Sequence, residues 1–129
     1  MAFVHLHNHT EYSLLDGLTH IKDMVRRAAE LDMPAVAVTD HGVMSGMVEL
    51  SDACDAVEKE TGKRVKPIFG CEVYFTPDES LRKDVKPKLY HLLLLAKNNE
   101  GYHNLVKLVS ESHVDNFYYK PRTTFSMLQ

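Results

Sequence analysis

At 129 residues and a net charge of -3, the chain has room for one domain with a real core. That charge gives no electrostatic reason to expect tight binding of a phosphate backbone by this segment alone. The 44% hydrophobic and 26% charged fractions are those of an ordinary globular protein, and no stretch approaches the ~20 apolar residues of a membrane span.

The chain opens Met-Ala-Phe-Val-His, with no basic or long apolar leader. Phe3 to His7 reads as a first strand, bounded by the turn-prone Asn8 and by Asp16-Gly17. It places His5, His7 and His9 at alternate positions, where side chains share one face of a strand. Thr19 is the expected N-cap of a first helix, with Ile21, Met24, Val25, Ala28 and Leu31 forming its apolar stripe. Pro34 closes that helix, and Ala35 to Thr39 is a compact buried strand. A second helix is expected from Ser45 to Gly62, with Val48, Ala53, Cys54 and Val57 turned inward. Pro67 to Phe75 carries a third strand. Pro77 to Lys88, polar and holding two prolines, is an exposed loop. Leu89 to Ala96 is a fourth strand, and Asn98 caps a helix whose apolar positions are Leu105, Val106, Leu108 and Val109.

Strands alternating with helices imply parallel pairing with right-handed crossovers. The continuous apolar runs AVAVT and LLLLA suit strands buried on both faces. An open doubly wound sheet and part of a (β/α) barrel both satisfy the pattern. The ending Phe125-Ser126-Met127-Leu128-Gln129 has the look of a cut inside a larger domain.

Polar residues gather where strands end, which is where α/β folds build their sites. His7 and His9 end the first strand, Asp40-His41-Gly42 follows the second, and Glu72 belongs to the third. Mixed imidazole and carboxylate ligands suit Zn²⁺, Mn²⁺ or Fe²⁺ rather than Ca²⁺. The candidates outnumber the needs of one tetrahedral zinc, and a cluster of ions can activate water and clamp a phosphate. Each signal has a plainer rival. H-x-H alone is as readily a pair of half-exposed strand residues, and Asp40 could be a turn or cap residue. His5 comes one strand step too early to ligate and is expected in the core or behind the ligands. His20, His103 and His113 are expected on helix surfaces. Cys54 and Cys71 are expected in the core; they form no CxxC pair, and a reduced cytoplasmic setting follows. Lys120-Pro121-Arg122 after Tyr118-Tyr119 could meet nucleic acid, but reads first as a solvated loop.

Taken together, HLHNHTEYSLLDG, VTDHG, FGCEVY and YHLLLLAKNNEGYHNLVKLVS followed by FYYKPR resemble the PHP (polymerase and histidinol phosphatase) domain family. The LLDG tail and the last two blocks resemble its branch at the N-terminus of bacterial DNA polymerase III alpha subunits. The resemblance runs over essentially the whole chain and implies a distorted (β/α)₇ barrel with metals at the C-terminal ends of its strands. Residues 1–129 would then be the N-terminal portion of that domain, α/β with parallel strands and truncated after about four of them. Carried over residue by residue, it makes His7 and His9 the ligands of the first motif and Asp16 its closing carboxylate. His41, Glu72 and His91 complete the matching ligands, and Asp40 would orient one of them from behind. Two or three divalent ions are implied for the complete domain, and the remaining ligands fall in later strands.

The implied function is that of a replicative polymerase fragment. Nucleotidyl transfer would belong to segments outside these residues, and the PHP domain would be a metal-dependent phosphoesterase, expected to act as a 3′→5′ proofreading exonuclease. DNA, met through the full-length polymerase, and other replisome subunits are the implied partners. Two rivals stand beside it: a free-standing phosphatase on a small phosphomonoester such as histidinol phosphate, and a non-catalytic domain that braces the polymerase.

Overall fold

A computed structural model describes residues 3–14 and 16–129, so Met1, Ala2 and Leu15 of the LLDG segment lie outside the described residues. In chain order the elements are α1 (Ile21–Glu30), β1 (Ala35–Val38), α2 (Met47–Thr61), β2 (Lys66–Phe75), β3 (Tyr90–Leu95), α3 (Asn99–Val114), β4 (Phe117–Tyr118), β5 (Lys120–Thr123) and a 3₁₀ turn, Ser126–Leu128. The fold is mixed α/β with a parallel-leaning sheet.

β2 is the axis of the sheet. Its first half pairs in parallel with β1, from Ala35 opposite Lys66 to Val38 opposite Phe69. Its end pairs in parallel with β5, and along its second half β3 runs antiparallel. The expectation of parallel strands throughout is therefore corrected. β3 follows β2 through a loop with no helix, and a chain that returns without a crossover must run antiparallel to its neighbour. FYYKPR is likewise not a solvated loop. It folds into the antiparallel β4–β5 pair, in which Pro121 and Arg122 are buried.

The first expected strand is reduced to an extended segment with one isolated bridge, His5 to Val36. Asn8 explains the break. Its side-chain amide donates to the carbonyls of Ala37 (2.9 Å) and His5 (3.2 Å), and its backbone N–H goes to the Thr39 hydroxyl. The acceptor that a regular ladder would use is already taken. The N-cap of α1 is His20, not Thr19, and the cap's role falls to Glu11, whose carboxylate accepts from the Ile21 N–H at 3.1 Å. In α3 the expected cap holds, with the Asn98 side chain accepting from Gly101 N at 2.9 Å.

Two apolar clusters hold these elements. The larger joins Ile21, Val25, Ala28 and Ala29 of α1 to Val36 and Val38 of β1 and to Met47, Leu50, Ala53, Cys54 and Val57 of α2. The smaller sets Cys71 and Val73 of β2 against Leu105 and Leu108 of α3. At about 1.5–3 kcal/mol for each large side chain buried, the first cluster carries most of the packing and anchors β1, whose end leads into the site. Val48, expected inward, is 70% exposed, because α2 begins at Met47 and its buried face runs through Met47, Leu50 and Cys54. Among the described residues no helix is long and apolar enough to cross a membrane.

Candidate metal centre

Side chains alternate along β2, so Cys71 and Val73 face α3 while Glu72 and Tyr74 face the opposite side. Glu72 thereby stands at the centre of an imidazole cluster. One of its oxygens, Oε2, lies 2.6 Å from His7 Nε2, 2.7 Å from His9 Nε2 and 3.7 Å from His41 Nδ1. Its other oxygen, Oε1, accepts from His91 Nδ1 at 2.8 Å. Asp16 closes the far side, with Oδ2 at 3.1 Å from His9 Nδ1 and 2.7 Å from His41 Nε2. The six ligand candidates from four separate segments are thus brought together.

His91 enters near the start of its strand rather than the end. Because β3 is antiparallel, its start lies beside the end of β2, so the imidazole arrives at the same edge as the others. His41 is placed by an isolated bridge to Glu72, fixed by Gly42 N to Glu72 O at 2.9 Å and Glu72 N to Asp40 O at 3.0 Å. Asp40 is fully buried, and both its oxygens are spent on Thr10, from the backbone N–H at 2.6 Å and the hydroxyl at 2.8 Å. It therefore holds the segment carrying His9 rather than facing the cluster. Burial pushes its carboxyl up, and the bonds from Thr10 do not cancel that effect.

His5 is corrected: it is exposed, neither core nor support, with its ring edge-on to Phe3 at 4.7 Å. His20 and His103 are exposed as expected. His113 is exposed too, yet its Nε2 lies 2.7 Å from the Gly42 carbonyl and so braces the turn after His41. Cys54 and Cys71 are core, and burial raises their thiols to about 11 and about 12. The sequence reading missed Ser13, whose hydroxyl donates to Asp16 Oδ1 at 2.7 Å and accepts from His41 N at 3.2 Å. Its place three residues before Asp16 in a turn was the available signal.

The donor set fits a divalent cation on three counts. Three trios, His7–His9–Glu72, His9–Asp16–His41 and His41–Glu72–His91, each offer ligand atoms within 4.8 Å of one another. Both ring nitrogens of His9 face carboxylates, and a neutral imidazole has a proton for only one of them. Buried His41 Nδ1 has no hydrogen-bond partner, an orphan that a metal would satisfy. Burial opposes ionisation of Glu72, yet the bonds from His7, His9 and His91 outweigh it and hold the carboxyl at about 2. Burial also lowers the His41 imidazole, which favours the neutral, ligating form. A cleft of about 490 Å³, lined by His7, Asn8, His9, Thr19 and Met24, opens from the cluster to solvent.

The profile of the PHP domain matches residues 5–129. The chain belongs to the PHP domain family. The DNA polymerase III subunit alpha of Helicobacter pylori strain ATCC 700392 / 26695 is 45% identical over 128 residues, covering 99% of this chain and 10% of that protein. That of Treponema pallidum strain Nichols is 40% identical over 131 residues, 99% of this chain and 11% of its own length. The Deinococcus radiodurans counterpart is 42% identical over 137 residues, 98% and 10% respectively. The chain thus spans about a tenth of the length of the curated relatives it matches. A crystal structure from Bifidobacterium adolescentis, of a protein named as a candidate metal-dependent phosphoesterase, superposes with a TM-score of 0.54. The match covers 87% of this chain and 34% of that one at 23% identity, and is a likeness of fold.

Proposed function

We propose that His7, His9, Asp16, His41, Glu72 and His91 of this PHP domain hold divalent transition metal (Zn²⁺, Mn²⁺ or Fe²⁺), and that the domain is a phosphoesterase within a bacterial DNA polymerase III alpha subunit. The reaction proposed is 3′→5′ exonucleolytic hydrolysis in the service of proofreading. The observation that carries the reading is the crowding of Glu72 Oε2 by three imidazole nitrogens, one of them a buried orphan. A carboxylate so surrounded suits a shared cation better than a set of ordinary hydrogen bonds. The polymerase assignment is supported by 40–45% identity to alpha subunits over nearly the whole chain. On this reading residues 1–129 are the N-terminal part of a (β/α)₇ domain in a longer cytoplasmic protein, whose partners are DNA and other replisome subunits.

When bound, the metal would supply Lewis-acid stabilisation of phosphoryl charge and a water of lowered pKa. The chain's own residues do the rest. Glu72 stays ionised and holds His7 and His9 at Oε2 and His91 at Oε1. Ser13 fixes Asp16, and Asp40 fixes the His9 segment through Thr10. Tyr74 stacks beside His41. The test is metal analysis of the full-length protein and of its His7→Ala/His9→Ala double variant. A clear loss of bound ion, with loss of chelator-sensitive nuclease activity, is expected. Unchanged stoichiometry defeats the ligand assignment, and metal without hydrolysis favours a bracing domain.

A further inference from the structure

A cation stands beside the cluster, seated on an aromatic ring. Tyr74, two residues beyond Glu72 and on the same face of β2, stacks on His41 with centroids 5.7 Å apart and planes 20° apart, and meets His91 edge-on at 5.4 Å. The Lys120 ammonium lies 5.0 Å from the centroid of that tyrosine ring. Lys120 is exposed and, among the described residues, forms no ion pair. A carboxylate in place of the ring would neutralise the ammonium. An aromatic face holds it in position and leaves its charge and its N–H groups available.

The strand that carries Lys120 is firmly set. Tyr118 pairs with Lys120, so Tyr119 alone turns the corner at φ 60, a conformation that non-glycine residues avoid. After Lys120 comes buried Pro121, then buried Arg122. Arg122 is not itself available to an anion. Its guanidinium is spent on the carbonyls of Leu81, Arg82 and Asn116 at 2.8–2.9 Å. Of these two neighbouring cations, only Lys120 is free.

We propose that Lys120, seated on Tyr74, receives a phosphate oxygen of the substrate at the edge of the metal centre. The inference rests on the phosphoesterase reading and deepens it by naming the side chain that positions the scissile group. The shared chemistry is a phosphate oxyanion, whether the internal diester of a nucleic-acid strand or a phosphomonoester. A single ammonium at that place offers a charge-assisted hydrogen bond to either.

The experiment uses full-length protein loaded with Mn²⁺, as wild type, K120Q and K120R. Metal content is measured first, and then the Kd for inorganic phosphate and for the single diester thymidylyl-(3′→5′)-thymidine. Expected are equal metal in all three proteins, about tenfold weaker binding in K120Q and recovery in K120R. Weakening of the diester alone assigns the site to a strand, and weakening of phosphate alone assigns it to a monoester. Unchanged affinities at equal metal content overturn the role of Lys120 and leave the metal reading standing. An arginine variant no better than the glutamine one shows that packing on Tyr74, not charge, was lost, and also overturns it. Wild-type protein that takes up no metal overturns the phosphoesterase reading and this inference with it.

Discussion

His91 Nδ1, in the second position of β3, lies 2.8 Å from Glu72 Oε1 near the middle of β2, across an antiparallel pair whose register sets His91 opposite Tyr74. The contact is therefore diagonal, reaching back to a side chain two residues before the facing one. Such diagonals are long for most pairs and suit an extended, flat side chain such as imidazole. Antiparallel direction lets a fourth segment reach a site that parallel strands approach only with their ends.

Glu72 is the residue whose loss should cost the centre most, since it contacts His7, His9 and His91 and lies 3.7 Å from the orphan nitrogen of His41. Glu72→Gln keeps the shape and removes the charge. Metal affinity is expected to fall tenfold or more, by analogy with losses at metal-orienting residues of about 10–100-fold, with the fold retained. Equilibrium dialysis against Zn²⁺ or Mn²⁺ checks this. In the full-length protein, nuclease activity should vanish while nucleotidyl transfer largely persists, because the two sites are proposed to be separate. Loss of both activities in a folded variant would point to bracing.

Acid behaviour of the metal-free protein follows from the same carboxyl. Its folded value of about 2 lies below the ordinary 4.5, so the stability it contributes is complete above about pH 4.5 and is lost as pH falls toward 2. Thermal midpoints of wild type and Glu72→Gln should therefore differ at pH 5–6 and converge through that window. A gap that stays constant down to pH 3 would mean that the histidines do not hold the carboxylate as the geometry implies.

Among the described residues Arg122 is the largest fully buried side chain; three carbonyls accept from its guanidinium, the Tyr118 ring lies 5.5 Å away, and its charge helps to lower the Asp78 carboxyl. It ties the loop at Leu81 and Arg82 to β5. Arg122→Met leaves those carbonyls without a donor, and a loss of about 2–4 kcal/mol is expected from buried groups of this kind. Denaturant midpoints of the full-length protein give the test, with the slope checked for a loosened native state. A change under 0.5 kcal/mol, about the size of an ordinary surface substitution, would show that the three bonds carry little net stability.

Much of this was legible in the residues, and the exceptions have physical causes. The α1–β1–α2 unit follows from apolar spacing and from an all-buried AVAV run, because local periodicity and tertiary burial agree there. The opposite faces of Cys71 and Glu72 follow from strand alternation alone. The direction of β3 was not legible, since an apolar run carries no sign of which way it is entered. Nor was the burial of Arg122, whose partners are backbone carbonyls far away in sequence that no side-chain pattern announces. The broken first strand was half legible. Asn8 marked its end, but the amide's capture of the Ala37 carbonyl depends on two chains lying side by side. Of the site, residue types and strand-end positions pointed to His7, His9, His41 and Glu72, whereas Asp16 and His91 came only from the family resemblance, and Ser13 and His113 act through backbone groups and left only weak traces.

Gly17 gives the sharpest separation between site and scaffold. A Cβ there would lie 1.8 Å from the Thr10 carbonyl oxygen and 2.7 Å from its carbon, both backbone atoms that cannot swing aside. The loop must therefore open if alanine is placed at position 17. The loop is drawn tight by Gly17 N to Ser13 O at 2.9 Å and Glu11 N to Thr19 O at 3.1 Å, and it carries Ser13 and Asp16. Opening it draws Asp16 away from His9 and His41, whereas the main apolar cluster is built on α1, β1 and α2 and meets this loop through Tyr12. Gly17→Ala should accordingly cost stability on the scale of a local steric clash, about 1–3 kcal/mol, and reduce metal occupancy far more than that loss alone would. Leu18→Ala, at a neighbouring side chain that is 91% exposed, is the control and should change neither. Metal content and thermal midpoint measured on both variants decide the matter. Full occupancy in folded Gly17→Ala protein would remove Asp16 from the ligand set and leave the centre to Glu72 and the histidines.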